Sequence, residues 1–214
     1  IRFPHKNKLL TALPRKAQQH FISRCENVEL KFAEVLCKPG ELIHHIYFPT
    51  DSYISLVSQI DEHSNLEIAL VGNEGMYDVM PALGMDVSML FVIVQGEGSA
   101  LRMKVSKFRQ ELLHIPALQK IINNYIVVRL GQIIQTAACT RFHLVEARLA
   151  RWLLMTQDRA FSKKLHITQE FLAYMLGVRR VGITKAASSL QERKLIIYKR
   201  GVLTIINRKG LKAA

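Results

Sequence analysis

Nowhere does the chain run eighteen uncharged apolar residues together, so no transmembrane helix is expected. The opening IRFPHKNKLL lacks the apolar run and small-residue site of a secretory signal, and a cytoplasmic location is the expectation. Cysteine is scarce: Cys25, Cys37 and Cys139 are odd in number and form no CxxC pair. That excludes a disulfide framework and a zinc knuckle and leaves ordinary buried thiols as the reading. Acidic residues are scarce in one region only. Residues 1–140 hold 14 Lys and Arg against 13 Asp and Glu, net +1, whereas residues 141–214 hold 16 against 4, net +12. A basic module beside a neutral one points to a phosphate backbone as partner. A membrane-surface module would instead need a wide exposed apolar face, and the last third requires its apolar positions for its own core.

With 214 residues, 49% of them hydrophobic, there is enough material for one large domain or two modest ones. From about Phe32 to Met103, β-branched and aromatic runs alternate with turn residues (CKPGE, IHHIYFP, SYISLVSQI, EIALVGNEG, MLFVIVQGEGSALRM), which predicts an antiparallel sandwich or roll. Helical patterns flank it: LPRKAQQHFISRC before and SKFRQELLHI after. Pro116 opens a long uninterrupted helical segment. Ile122, Ile126, Leu130, Ile133 and Ala137 make one apolar stripe along it, and Leu118, Ile121, Tyr125 and Val128 a second beside it. Two stripes need two covers, the chain's own roll and the same helix of a second copy, unless the helix is simply buried in a monomer. VEARLARWLLM reads as a further amphipathic helix, and the polar TQDRAFSKK as the connection that follows.

In ITQEFLAYMLGVRRVGITKAASSLQERKL, taking Gln169 as position one puts small Ala173 at five, Gly177 at nine and Ile183 at fifteen. These are the sites where a helix-turn-helix needs close helix approach, a left-handed turn residue and an apolar contact between the helices. Thr168 suits the N-cap of the first helix and Glu170 its first turn. In this register the second helix turns Arg179, Arg180, Val181, Thr184, Lys185 and Ser188 away from the core, toward a major groove that admits one helix. Arg180 is expected to grip guanine with both guanidinium nitrogens, Lys185 to meet a base or phosphate, and Arg179 a phosphate. The alternative is a merely solvated cationic face. Gly182 lacks a firm explanation beyond close approach to DNA. LIIYKRGVLTII reads as a hairpin whose basic tip, Lys199 and Arg200, lies near phosphates.

Roll, long helix and basic helix-turn-helix with hairpin together resemble the Crp/Fnr superfamily of bacterial transcription regulators, over essentially the whole chain and most specifically over residues 168–195. The resemblance implies an α+β fold: an antiparallel, jelly-roll-like sensor β-roll over 1–115, a dimerisation helix over 116–142 and a winged helix-turn-helix over 143–214. It implies a homodimer on a twofold-symmetric DNA site and RNA polymerase as a further partner. Thr168, Lys199 and Arg200 join the DNA contacts; Ile122, Tyr125, Ile126, Arg129, Leu130, Ile133 and Ala137 become the interface between copies.

The effector does not carry over. Where cyclic-AMP-responsive members hold ribose with Gly-Glu and phosphate with Arg-Ser, residues 73–94 offer Tyr77, Asp78 and Val79, then Val87 and Ser88, with Asp78 and Asp86 expected to repel a phosphate. Ile133 and Ile134 stand where Thr-Ser would meet the purine. Cyclic AMP is therefore not expected to bind in the usual way, and no cofactor is assigned. Arg180-Val181 replaces the frequent Arg-Glu pair, which argues for a different operator. Too few cysteines exist for an iron–sulfur sensor; a haem held by one of His5, His20, His44, His45 or His63 and a thiol switch at Cys25 or Cys37 stay open. Gly40, Glu41, His44 and His45 faintly echo a cupin metal motif, but adjacent strand histidines point to opposite faces and no catalytic pair is visible, so no enzyme is expected. The other competing reading is nucleic-acid binding without sequence preference.

Overall fold

The computed structural model describes residues 6–61, 64–162 and 164–214. Two short helices lead in, α1 at Lys8–Thr11 and α2 at Arg15–Ser23. Strands β1 (Glu26–Leu30), β2 (Val35–Cys37), β3 (His45–Pro49), β4 (Tyr53–Gln59), β5 (Asn65–Val71), β6 (Phe91–Gly96) and β7 (Gly98–Lys104) follow, with a 3-10 turn at Met80–Leu83 before β6. They form two sheets, ordered β1-β7-β3 and β2-β6-β4-β5, which is the expected antiparallel roll. Burial alternates along the first half of β5, Asn65 to Ile68, and is complete on both faces from Ala69 to Val71. Phe21 of α2 and Phe48 of β3 meet edge to face in the core, centroids 5.4 Å apart, with Phe108 tilted against Phe48 at 6.4 Å. Phe108 belongs to α3 (Val105–His114), as the sequence pattern required.

The long helix α4 runs from Pro116 to Phe142, 27 residues. After it come α5 (Val145–Ala160), β8 (Lys164–His166), α6 (Gln169–Leu176), α7 (Arg180–Glu192), β9 (Ile196–Lys199), β10 (Val202–Ile205) and α8 (Arg208–Lys212). Strand β8 was not expected. It begins at Lys164, the last residue of what read as a polar connection, and completes a small sheet ordered β8-β10-β9. The start of that connection, through Ala160, belongs to α5. Packing divides the chain into two units: residues up to Leu56 with Ala69–Gln132, and Val57–Ile68 with Ile133–Ala214. No helix among the described residues is long and apolar enough to cross a membrane.

On α4 the buried side is Leu118, Ile122, Tyr125 and Arg129, at 0, 0, 7 and 7% exposure. Steps of four, three and four keep these four on one face of the helix. Tyr125 donates from its hydroxyl to the Met76 carbonyl at 3.2 Å, and a methyl group added at Gly75 would collide with its ring. Ile122, Tyr125 and Arg129, expected between two copies, are instead spent on the chain's own roll. Leu130, Ile133, Ile134, Val127 and Val128 form the exposed apolar side, with Ala137 also exposed and Ile126 partly so.

Candidate nucleic-acid interface

Thr168 caps α6: its hydroxyl accepts the Phe171 backbone N–H at 3.1 Å, and Glu170 sits in the first turn. The helix stops at Gly177, which takes φ 60° and ψ 45°, the left-handed conformation a residue without Cβ enters at little cost. Beyond the turn, Val178 N–H donates to the Ala173 carbonyl at 3.1 Å, and α7 begins at Arg180 with Arg179 at its N-cap. Leu172, Ala173 and Leu176 on α6 and Ile183, Ala186, Ala187 and Leu190 on α7 are all buried. The helix-turn-helix register read from the sequence is the one in the structure.

The other side of α7 is open. Arg179, Arg180, Val181, Thr184, Lys185 and Ser188 are exposed, Val181 at 59%. Their side chains differ in freedom. The Thr184 hydroxyl lies 2.8 Å from Gln169 Oε1 and 3.1 Å from the Arg180 carbonyl oxygen, so its single proton is already engaged. Arg193, at the far end of α7, pairs with Glu146 of α5, and Arg208 with Asp158 at 2.5 Å. Among the described residues no ion pair is formed by Arg179, Arg180 or Lys185, which leaves their charge available to an outside anion.

Strands β9 and β10 pair in register, Val202 opposite Lys199 and Ile205 opposite Ile196. Arg200 at φ 50° and Gly201 at φ 77° make the two-residue turn with both angles positive that suits a hairpin's twist. Lys199 and Arg200 are exposed at its tip. Tyr198 fixes the hairpin to the helix pair: its N–H donates to Gln191 Oε1 at 2.7 Å and its hydroxyl to the Ile167 carbonyl at 2.7 Å. Burial raises its phenol pKa, and Arg180 nearby pulls it back down. Gly182 faces Val145 of α5, where an added Cβ would stand in ordinary contact at 3.9 and 4.0 Å. No close packing within the chain requires a glycine there.

Of the residues expected around an effector, three come together: Tyr77 lies beside Asp78 and interacts with Ser88. Tyr77, Asp78 and Ser88 are buried in the roll, whereas Val87, Ile133 and Ile134 are exposed. Tyr77 stacks on Tyr47, centroids 6.2 Å apart, and burial pushes its phenol far above the ordinary range. The Ser88 hydroxyl donates to the Leu90 carbonyl at 3.0 Å. Asp78 accepts from Met80 N–H at 3.0 Å; its pKa is raised, mainly by burial, against the pull of the Met80 and Val79 amides and of Arg129. Arg129 is thus a cation beside the roll interior, supplied by α4 and not by the 73–94 stretch where a phosphate partner was sought. Its guanidinium donates to Gln132 Oε1 at 2.8 Å and lies 6.0 Å from the Tyr125 centroid. Asp86, expected to repel a phosphate, is neutralised by Arg109 at 2.7 Å.

Burial, with Glu111 and Glu26 adding to it, pushes the Cys25 thiol up to about 12, and Cys37 is buried. A thiol held protonated is a poor nucleophile, which argues against a redox switch at Cys25. His20 bonds Glu111 at 3.0 Å, His44 is exposed and burial lowers the His45 pKa; His5 and His63 lie outside the described residues. No cluster of three or more His, Cys, Asp or Glu able to hold a metal occurs among the described residues, Glu41, His44 and His45 included.

Residues 147–214 match the Crp-like helix-turn-helix domain family. No curated protein matches the chain. Solved structures do. The c-di-GMP-responsive global regulator CLP of Xanthomonas campestris superposes with a TM-score of 0.74 at 15% identity, covering 90% of this chain and 99% of that one. A crp/fnr-family regulator of Eubacterium rectale gives 0.75 at 15% identity, over 99 and 97%. A CRP/FNR-family regulator of Thermus thermophilus gives 0.72 at 19%, over 88 and 97%. At these identities the likeness is one of fold, and it extends over nearly the whole chain.

Proposed function

Because its last third is a Crp-like helix-turn-helix domain on a chain with the Crp/Fnr fold, we propose that the protein is a sequence-specific, DNA-binding transcription regulator that acts as a cytoplasmic homodimer. One observation carries the reading: the outer side of α7 presents Arg179, Arg180 and Lys185, exposed and without ion pairs among the described residues, while its inner side is fully packed. In a major groove Arg180 reaches a guanine edge and Arg179 and the hairpin's Lys199 and Arg200 hold phosphates. The exposed apolar side of α4, from Val127 to Ile134, closes on its counterpart, so the site is an inverted repeat with half-sites about one helical turn apart. RNA polymerase is the partner such a regulator would address. With Val87, Ile133 and Ile134 exposed and Arg129 engaged within the chain, cyclic AMP has no place in the usual mode.

The test is selection of DNA from a randomised library by the full chain at physiological salt, with and without cyclic AMP. An enriched inverted repeat indifferent to cyclic AMP is expected. Arg180→Ala should then erase most of the preference at one guanine, about 1–3 kcal/mol, whereas Arg179→Ala should weaken all sequences alike and lower the salt slope by about one. Equal binding of selected and random DNA would overturn the regulator in favour of a non-specific binder.

A further inference from the structure

Val181 is a branched alkyl group at 59% exposure in the first turn of α7, between Arg180 and Lys185. It is not part of the buried core. At ~100° per residue it stands about 160° around the helix from Ile183, the fully buried contact with α6, so it points almost straight out from the packed side. Arg180 lies to one side of that line. Lys185, one turn on, shares its row. Helical side chains also lean toward the N-terminus, the end that enters a groove first. The remaining neighbour, Thr184, has its proton engaged by Gln169 or the Arg180 carbonyl. The centre of the reading face is therefore apolar, bordered by cations.

We propose that Val181 reads a thymine: its methyl groups pack on the C5-methyl of one thymine in each half-site, beside the guanine taken by Arg180. This rests on the DNA-binding reading above and adds the base. The chemistry selects it. Guanine, adenine and cytosine present only donors and acceptors in the major groove, and a valine set against them would strip their water and offer no hydrogen bond in return. Thymine alone presents a methyl group. The cations to either side draw the helix onto the phosphates and hold the alkyl group against the base edges.

The probe is the duplex enriched by the full chain from a randomised library, synthesised with each half-site thymine replaced in turn by deoxyuridine, which removes only the methyl. Loss of one such contact is expected to cost the wild-type chain roughly fourfold in affinity per half-site. Val181→Ala, an exposed substitution, should bind the thymine duplex similarly more weakly and show no further loss with deoxyuridine at that position. Cytosine to 5-methylcytosine at the same place should recover part of the loss. Indifference of the wild type to every thymine-to-deoxyuridine change, or a methyl penalty that persists in Val181→Ala, would overturn the proposal while the regulator reading stands. A library that yields no enriched sequence would overturn both.

Discussion

Thr184 of α7 and Gln169, first residue of α6, meet through a hydroxyl-to-carbonyl contact of 2.8 Å on the exposed side of the helix pair. The two helices are pinned on their outer surface as well as through their buried side chains. Gln169→Ala is expected to lower stability by about 0.5–1 kcal/mol, a fall of roughly 2 °C in the thermal midpoint. An unchanged midpoint would show that water replaces the contact without cost.

Gly182→Ala should raise stability. The new Cβ meets only Val145, at 3.9 and 4.0 Å, and alanine is favoured over glycine by up to about 1 kcal/mol within helices, less in the first turn where Gly182 stands. Thermal unfolding measures the gain. Binding to the selected duplex measures the other half: if it falls tenfold or more, the glycine serves close approach to DNA, as the sequence reading had it.

The two sides of α4 should respond differently to one kind of change. Leu130→Asp or Ile134→Asp, at positions 53 and 68% exposed, should leave a folded chain whose mass in light scattering is that of a monomer. Ile122→Asp, at 0% exposure, should lose the roll's cooperative unfolding, because an unpaired carboxylate enters the core. A dimer that survives Leu130→Asp and Ile134→Asp together would place the interface elsewhere.

Asp78 gives a pH-dependent prediction. Its folded pKa is raised, so the native state favours the protonated acid and bears a cost once the group ionises. The cost is absent below the ordinary aspartate value of about 3.9, grows as pH rises from there to the folded pKa, and is constant above it. Asp78→Asn keeps an acceptor for the Met80 amide and should therefore melt higher at pH 7, the difference closing as the pH falls through the acid range. A difference that widens on acidification would mean that attraction to Arg129 outweighs burial.

These cases also separate what the sequence could disclose from what it could not. The helix-turn-helix was legible because backbone geometry restricts residue type: Thr168 must accept an amide, Gly177 must enter the left-handed region, and Ala173 and Ile183 must fit between two helices. The hairpin followed from Gly201 in the same way. The long helix was legible as a helix but not by face, since both its stripes are apolar and nothing local says which meets the roll. Arg129 misled for the same reason. A cation among apolar residues reads as an interface residue, yet here it turns inward, to Gln132 and toward Asp78. The pairing of Asp86 with Arg109, 23 residues apart, exists only once the roll has closed.

Tyr125 has the last consequence. Its ring fills the space above Gly75 while its hydroxyl holds the Met76 carbonyl, so one side chain both occupies the roll's wall and fastens α4 to it. A small molecule seeking that spot must first displace the fastener. Part of its binding free energy then goes into releasing the first half of α4, and occupancy of the roll and attachment of the helix become two readings of a single equilibrium.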